Sequence, residues 1–366
     1  MKPLHAFVAL LWLCIVATAA DWPVFRGNPA QDGVSTDTLP DQLEELWRFK
    51  TGKGDDAIEN APAIVDGVVY LAGQDQFLYA LALVDGAEKW RFKSSAPFKS
   101  SPAVQKNRVF VGDVDGNFYC LDAANANQLW KFQCEQEISS GPGFTGDKIM
   151  FGCADESLYC LDDKGKKLWQ FKVPGGPVMA TPAVEKNLTF VSGCDSKLHM
   201  IDTNTGNGIA EIDLEGQTGA TPSLRDGFLY VGTMSAQVTA INIAKKEVAW
   251  TFETSHNQPF FASTVVTNDL VIAGSRDKRL YALERATGKP KWNFVTEGRI
   301  EGSPVVVGSR VYVGSMDKNL YVVDLANGTE IQRMKLDSGV TGSIAVSGGR
   351  LLVGTQNGTL YCFGKK

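Results

Sequence analysis

A period of 40 residues runs through this chain and limits its possible folds more than any other feature. A Ser/Thr/Gly-Pro-Ala-like anchor recurs at Pro62, Pro102, Pro142, Pro182 and Pro222, and its register continues through Thr264, Pro304 and Ile344. The spacing is 40 residues at every step except the 42 between Pro222 and Thr264. Ten residues past each anchor stands a small residue, from Ala72 and Gly112 to Gly314 and Gly354. Three further on, six of the eight registers hold Asp: Asp75, Asp115, Asp155, Asp195, Asp277 and Asp317. Four beyond those come Tyr79, Tyr119, Tyr159, Tyr281, Tyr321 and Tyr361, with His199 and Thr239 in the two remaining registers.

Each unit reads as four short strands rich in Val, Ile, Tyr and Phe, punctuated by Gly, Asn and Asp. In the seventh these are "SPVVV", "RVYVGS", "NLYVVD" and "EIQR"; most repeats carry a Trp-x-Phe segment such as "KWNF" in the last place. The second strands are apolar at consecutive positions (Val109, Phe110, Val111), the pattern of a sheet buried on both faces. A four-stranded unit of this length, covered on both sides by its neighbours, is a propeller blade. The last repeat ends at Phe363 without a fourth strand, while Leu46-Trp47-Arg48-Phe49 is a fourth strand without three before it. Pairing the two closes the ring and removes an open sheet edge. The expected fold is therefore all-β: an eight-bladed propeller of four-stranded antiparallel blades, spanning Trp47 to Phe363 and closed by the N-terminal strand.

The first residues read as a secretory leader: Lys2, an apolar run from Leu4 to Val16, and the small residues Ala17-Thr18-Ala19-Ala20 before Asp21. Leu13 before Cys14 departs from a lipoprotein cleavage site, so the expected product is periplasmic or secreted without a lipid anchor. The division is then a signal peptide at 1–20, an extension at 21–45 and the propeller at 46–366. No later apolar run is long enough for a transmembrane helix. With 36 Lys and Arg against 41 Asp and Glu, and no basic block, the chain lacks a footprint for nucleic acid. It is expected to be a monomer.

The motif "GSRDKRLYALERATGKPKWNF" (274–294) resembles the pyrroloquinoline-quinone-like (PQQ-like) β-propeller repeat, and "DWPVFRGNPAQDGVS" (21–35) is similar to the entry segment of exported bacterial members. The resemblance covers essentially the whole chain after the leader. It implies either a quinoprotein dehydrogenase or a non-catalytic propeller such as the lipoprotein of the outer-membrane β-barrel assembly machinery, which binds protein partners by strand addition. In the dehydrogenases, PQQ lies between a Trp ring and a disulfide of adjacent cysteines, with calcium on nearby carboxylates. Here no two cysteines are adjacent. Every Trp after the leader sits in a fourth strand except Trp22, which lies in the extension. The expectation is a non-catalytic scaffold with protein partners in the envelope and no cofactor; PQQ with calcium is the alternative.

A residue shared by most blades serves the blade, so the repeated Asp, Tyr and Trp are structural. Cys120, Cys160 and Cys362 share one register and read as core. Cys134, Cys153 and Cys194 fall at loops on one rim, with Cys134–Cys153 the candidate disulfide. His256 has no second His or Cys near it at metal spacing, and neither a catalytic nor a metal motif occurs. Candidate binding residues are those where the repeats disagree near the axial mouth: Glu59, Lys99, His256, Phe260, Phe261, Arg299 and Glu301. The adjacent Phe260 and Phe261 lie in "SHNQPFFAS" (255–263), which holds the spacing insertion. They either plug the channel or anchor a ligand or peptide.

Overall fold

The computed structural model describes residues 20–52 and 56–366. The leader lies, but for its last residue, outside the described residues. Eight sheets of four antiparallel strands follow one another around an axis, one per repeat. Blade 1 comprises Ala63–Val65, Val68–Ala72, Phe77–Ala82 and Glu88–Lys93, and the seven others keep this plan. Its first two strands are joined through Asp66 and Gly67, both at positive φ (50° and 71°), the backbone of a tight hairpin turn whose twist matches the strands.

The second strands show why neighbouring apolar residues are needed. Val109 and Val111 of blade 2 pack toward blade 1, with Tyr70, Ala72 and Phe98. Phe110 between them points the other way, toward Phe144, Ile149 and Phe151 of blade 3. Such side chains stabilise the stack by about 1.5–3 kcal/mol each when fully buried. The small residue ten places past the anchor has a steric cause as well. A Cβ on Gly232 would lie 2.6 Å from the Cβ of Phe260, which caps that strand from the loop leaving the blade.

The fourth-strand Trp is the clasp between blades. The Trp250 indole lies over Gly288 in the third-to-fourth-strand turn of blade 6, where a Cβ would come within 2.5 Å of the ring. Its Nε1–H donates to the Arg285 carbonyl at 2.9 Å. Trp47, Trp90, Trp130, Trp169 and Trp292 make the same bond to the next blade.

The ring closes as the strand count requires. Glu44–Lys50 pairs antiparallel with Thr359–Gly364, placing Trp47 opposite Cys362. Blade 7 carries Gln332 in the Trp register, and the structure gives this departure a reason. The blade ahead has no third-to-fourth turn, because its fourth strand comes from the other end of the chain. Gln332 instead grips the incoming backbone: its Oε1 accepts the Leu43 N–H (3.0 Å) and its Nε2 donates to the Leu43 carbonyl (2.8 Å). Gln332→Leu removes both bonds and is expected to lower unfolding stability by roughly 1–3 kcal/mol, read as an earlier urea midpoint with an unchanged slope.

Residues 21–35 are not an appendage. They run inside the ring against the free edges of the innermost strands. Trp22 and Ile64 exchange both backbone bonds (2.8 Å), and the Pro23 carbonyl accepts from Val104 in blade 2. The carbonyls of Pro29, Ala30, Asp32 and Gly33 accept from Val184, Leu224, Val266 and Val306 of blades 4 to 7. Val34–Ser35 then adds a parallel fifth strand to blade 7. Arg26 crosses the interior, 1% exposed, and donates to the carbonyls of Thr264 and Pro304. Burial pushes its guanidinium down to about 9, so it stays charged at neutral pH. Trp22, expected outside the ring with the extension, is thus inside it, 2% exposed and packed over Gly27.

Candidate functional site

With the lower channel occupied by the extension, what remains open is a shallow funnel of about 180 Å³ on the axis, floored by Phe25. Two tiers of side chains from all eight blades line it. The lower tier is built from the residue before each anchor. There the backbone N–H of one blade donates to the hydroxyl of the next: Ala61 to Ser101, Gly141 to Thr181, Thr181 to Thr221, Thr221 to Ser263, Ser263 to Ser303 and Ser303 to Ser343, at 2.9–3.3 Å. The two junctions without this bond are those whose acceptor position is Gly141 or Ala61, which carry no hydroxyl. Around the rest, a buried donor and a buried acceptor satisfy one another, as a polar channel wall requires.

The upper tier stands two residues earlier in each repeat: Glu59, Lys99, Ser139, Met179, Gly219, Phe261, Glu301 and Thr341. Lys99 pairs with Glu137 at 3.4 Å. Glu301 is held by Arg276 (2.9 Å) and Arg299 (3.4 Å), and the Arg276 guanidinium lies 3.8 Å from the centre of the Phe261 ring. Met179 is 41% exposed, an apolar side chain open to solvent between polar neighbours.

Of the candidate mouth residues, Glu59, Lys99, Phe261 and Glu301 meet in the funnel, and Arg299 supports Glu301 from outside its lining. Phe260 and His256 do not join them. Phe260 is 1% exposed and packs on Tyr281. It occupies the register of Ile58, Phe98, Ile138, Val178, Ile300 and Val340, all buried. The insertion precedes it, so it never departed from the repeat. His256 lies at the blade 6 rim, 3.1 Å from Thr254 Oγ1 and 3.5 Å from Asp277. Ser139, Met179, Gly219 and Thr341 escaped the sequence reading, although stepping by the repeat from Glu59 reaches each of them.

The repeated Asp residues serve their turns. Asp317 takes the Asn319 N–H on Oδ1 (3.0 Å) and the Tyr321 hydroxyl on Oδ2 (2.9 Å). Burial alone would raise its pKa, but these bonds, with those from Ser315 and Glu297, hold it below the ordinary range. His199 replaces Tyr in the same bond, 2.7 Å from Asp195, and is buried. Cys120, Cys160 and Cys362 are wholly buried, and burial pushes each thiol up to about 12, so they are unreactive core. Cys134 and Cys153 come together across the junction of blades 2 and 3, both buried as free thiols, while Cys194 lies apart in blade 4.

No Trp lines the funnel, and its volume falls below the roughly 300 Å³ at which sites for drug-sized ligands begin. A closed eight-bladed ring, its channel filled by its own N-terminal segment and its mouth ringed by unlike side chains, defines a PQQ-like propeller. The chain belongs to the family described as outer membrane protein assembly factor BamB, whose model matches residues 39–162, 119–209 and 154–366. Among solved structures it is similar to BamB from Moraxella catarrhalis (20% identity, TM-score 0.75, covering 89% of this chain and 98% of that one). It is also similar to a europium-containing methanol dehydrogenase (14%, TM-score 0.80, 94% and 98%) and to the quinohemoprotein alcohol dehydrogenase of Comamonas testosteroni (14%, TM-score 0.81, 95% and 81%). At these identities the likeness concerns the fold. No curated protein matches the chain in sequence. Among the described residues no helix is long and apolar enough to cross a membrane.

Proposed function

We propose that this protein is a non-catalytic propeller of the cell envelope that binds a protein partner at its axial mouth. The observation that carries the reading is the contrast between the two tiers. Beneath, the blades repeat one hydroxyl device; above, at equivalent positions, they present Glu, Lys, Ser, Met, Gly, Phe, Glu and Thr. Variation concentrated in the upper tier is what a binding surface on a rigid scaffold needs. Phe261 under Arg276, in the same funnel as the exposed Met179, supplies the aromatic, cationic and thioether surface that interface centres favour. The description of the matched family, an assembly factor, agrees with such a role, and the expected leader agrees with an envelope location.

The residues present do not fit PQQ. The funnel is small, its floor is Phe25 and not an indole, and no adjacent cysteines exist to cover the other face. A photo-crosslinking residue at Met179 is expected to trap a discrete envelope protein that the same probe at Leu129, on the outer strand of blade 2, does not. Phe261→Ala with Glu301→Lys is expected to abolish that product. Titration with PQQ and calcium is expected to leave absorbance and melting temperature unchanged. Dye-linked dehydrogenase activity on adding the quinone, or identical crosslinks from both positions, overturns the reading.

A further inference from the structure

The junction of blades 2 and 3 combines three features that no other junction brings together, and together they describe a metal site. At each junction the residue ending a fourth strand faces the turn after the next blade's second strand. Between blades 1 and 2 the pair is Ser94 and Asp113, joined by a 2.7 Å hydrogen bond. Between blades 2 and 3 both members are sulfur: Cys134, 4% exposed, and Cys153, 0% exposed. This is also a junction where Gly141 interrupts the hydroxyl tier.

The third feature is Asp155. In blades 1, 4, 6 and 7 the equivalent carboxylate takes the N–H two residues on: Phe77, Lys197, Arg279 and Asn319. In blade 3 that bond is missing, as it is in blade 2, where the Asn117 N–H goes to Asp113 instead. Asp155 keeps the Tyr159 hydroxyl on Oδ2 (2.6 Å), but its Oδ1 has no partner although the residue is only 7% exposed. An unpaired buried carboxylate oxygen costs free energy that its blade mates avoid. A carboxylate oxygen of Asp155 and the two Sγ atoms lie within 4.8 Å of one another.

We infer that Cys134, Cys153 and Asp155 form a site for a thiophilic divalent cation of the zinc type, stapling blade 2 to blade 3. Two sulfurs and one carboxylate form a donor set that selects zinc over calcium or magnesium, which take oxygen. The cation occupies the unmet valence of Asp155 and offsets the charge that the thiolates bring into the interior. Without metal the Cys153 thiol donates to the Gln136 backbone carbonyl (3.3 Å), a bond given up when the thiolate binds the cation, while Lys172 reaches the Asp155 carbonyl (2.9 Å). The Lys172 bond holds the loop that bears Asp155.

Protein purified with reductant and without chelator is expected to retain one zinc ion per chain. Cobalt(II) added to the chelator-stripped protein is expected to give a near-ultraviolet sulfur-to-metal charge-transfer band, and zinc to raise the melting temperature. Cys134→Ser should remove the band, Asp155→Asn should weaken binding by at least about tenfold, and Cys194→Ser should change nothing. The wild-type cobalt spectrum needs no variant to fold. Free thiols with no band, or a non-reduced peptide pair joined from Cys134 to Cys153 in the protein as isolated, overturns the assignment.

Discussion

A chain beginning at Thr51 is expected to yield no folded monomer. Truncation removes Glu44–Lys50 and with it every backbone bond on the outer edge of Thr359–Gly364, a strand whose six residues are all buried in the intact ring. It also removes Trp47, whose indole clasps Leu83 of blade 1, so blade 8 loses its hold on the start of the propeller. An exposed, apolar strand edge of this length is a template for pairing with other chains. Size-exclusion chromatography is expected to show soluble aggregate, and near-ultraviolet circular dichroism to show lost tertiary packing. A monomer with the full-length melting temperature would mean that the inter-blade core alone holds the ring.

Arg26→Ala is the point substitution with the largest expected cost, about 3 kcal/mol or more. It leaves the Thr264 and Pro304 carbonyls without their charged donor in the buried interior of the ring. It also opens the space into which Gly33 fits, where a Cβ would touch the guanidinium. Arg26→Met restores most of the volume but not the bonds, and is expected to recover only the packing share. Arg26→Lys reaches at most one carbonyl well, because an ammonium lacks the planar fork. Urea unfolding of the three variants separates these contributions: equal loss in Ala and Met assigns the cost to hydrogen bonding, full recovery in Met to packing.

The period made the blades legible, because every repeat must present the same apolar faces and the same clasp to its neighbours. The missing fourth strand and the stranded Leu46–Phe49 made the closure legible as well. The path of residues 21–35 was not. Their bonds to the inner strands run through backbone carbonyls, which any side chain permits, so the segment carries no alternation and no repeat. Phe260 was misread because an insertion shifted its distance from the anchor while leaving its distance to Phe261 and Ser263 in register. Phe261 stood out because it is the one aromatic residue among its counterparts in the eight repeats. Cys134 and Cys153 were visible as rim cysteines, whereas Asp155 conforms to its register in residue type and departs only in which hydrogen bond it forgoes.

The N-terminal segment sets a direction for folding. Its partners span blades 1 to 8, and the closing strand meets residues more than 300 positions away in sequence. The closing strand, which precedes every blade in sequence, must therefore pair last, after the final blade exists to receive it. Interactions of such long range are costly to form early, because loop-closure entropy is lost before any contact rewards it. Until the last strand arrives, Glu44–Lys50 has nowhere to pair, and the ring stays open. Closure of the ring is then a late event that locks blade 8 to blade 1.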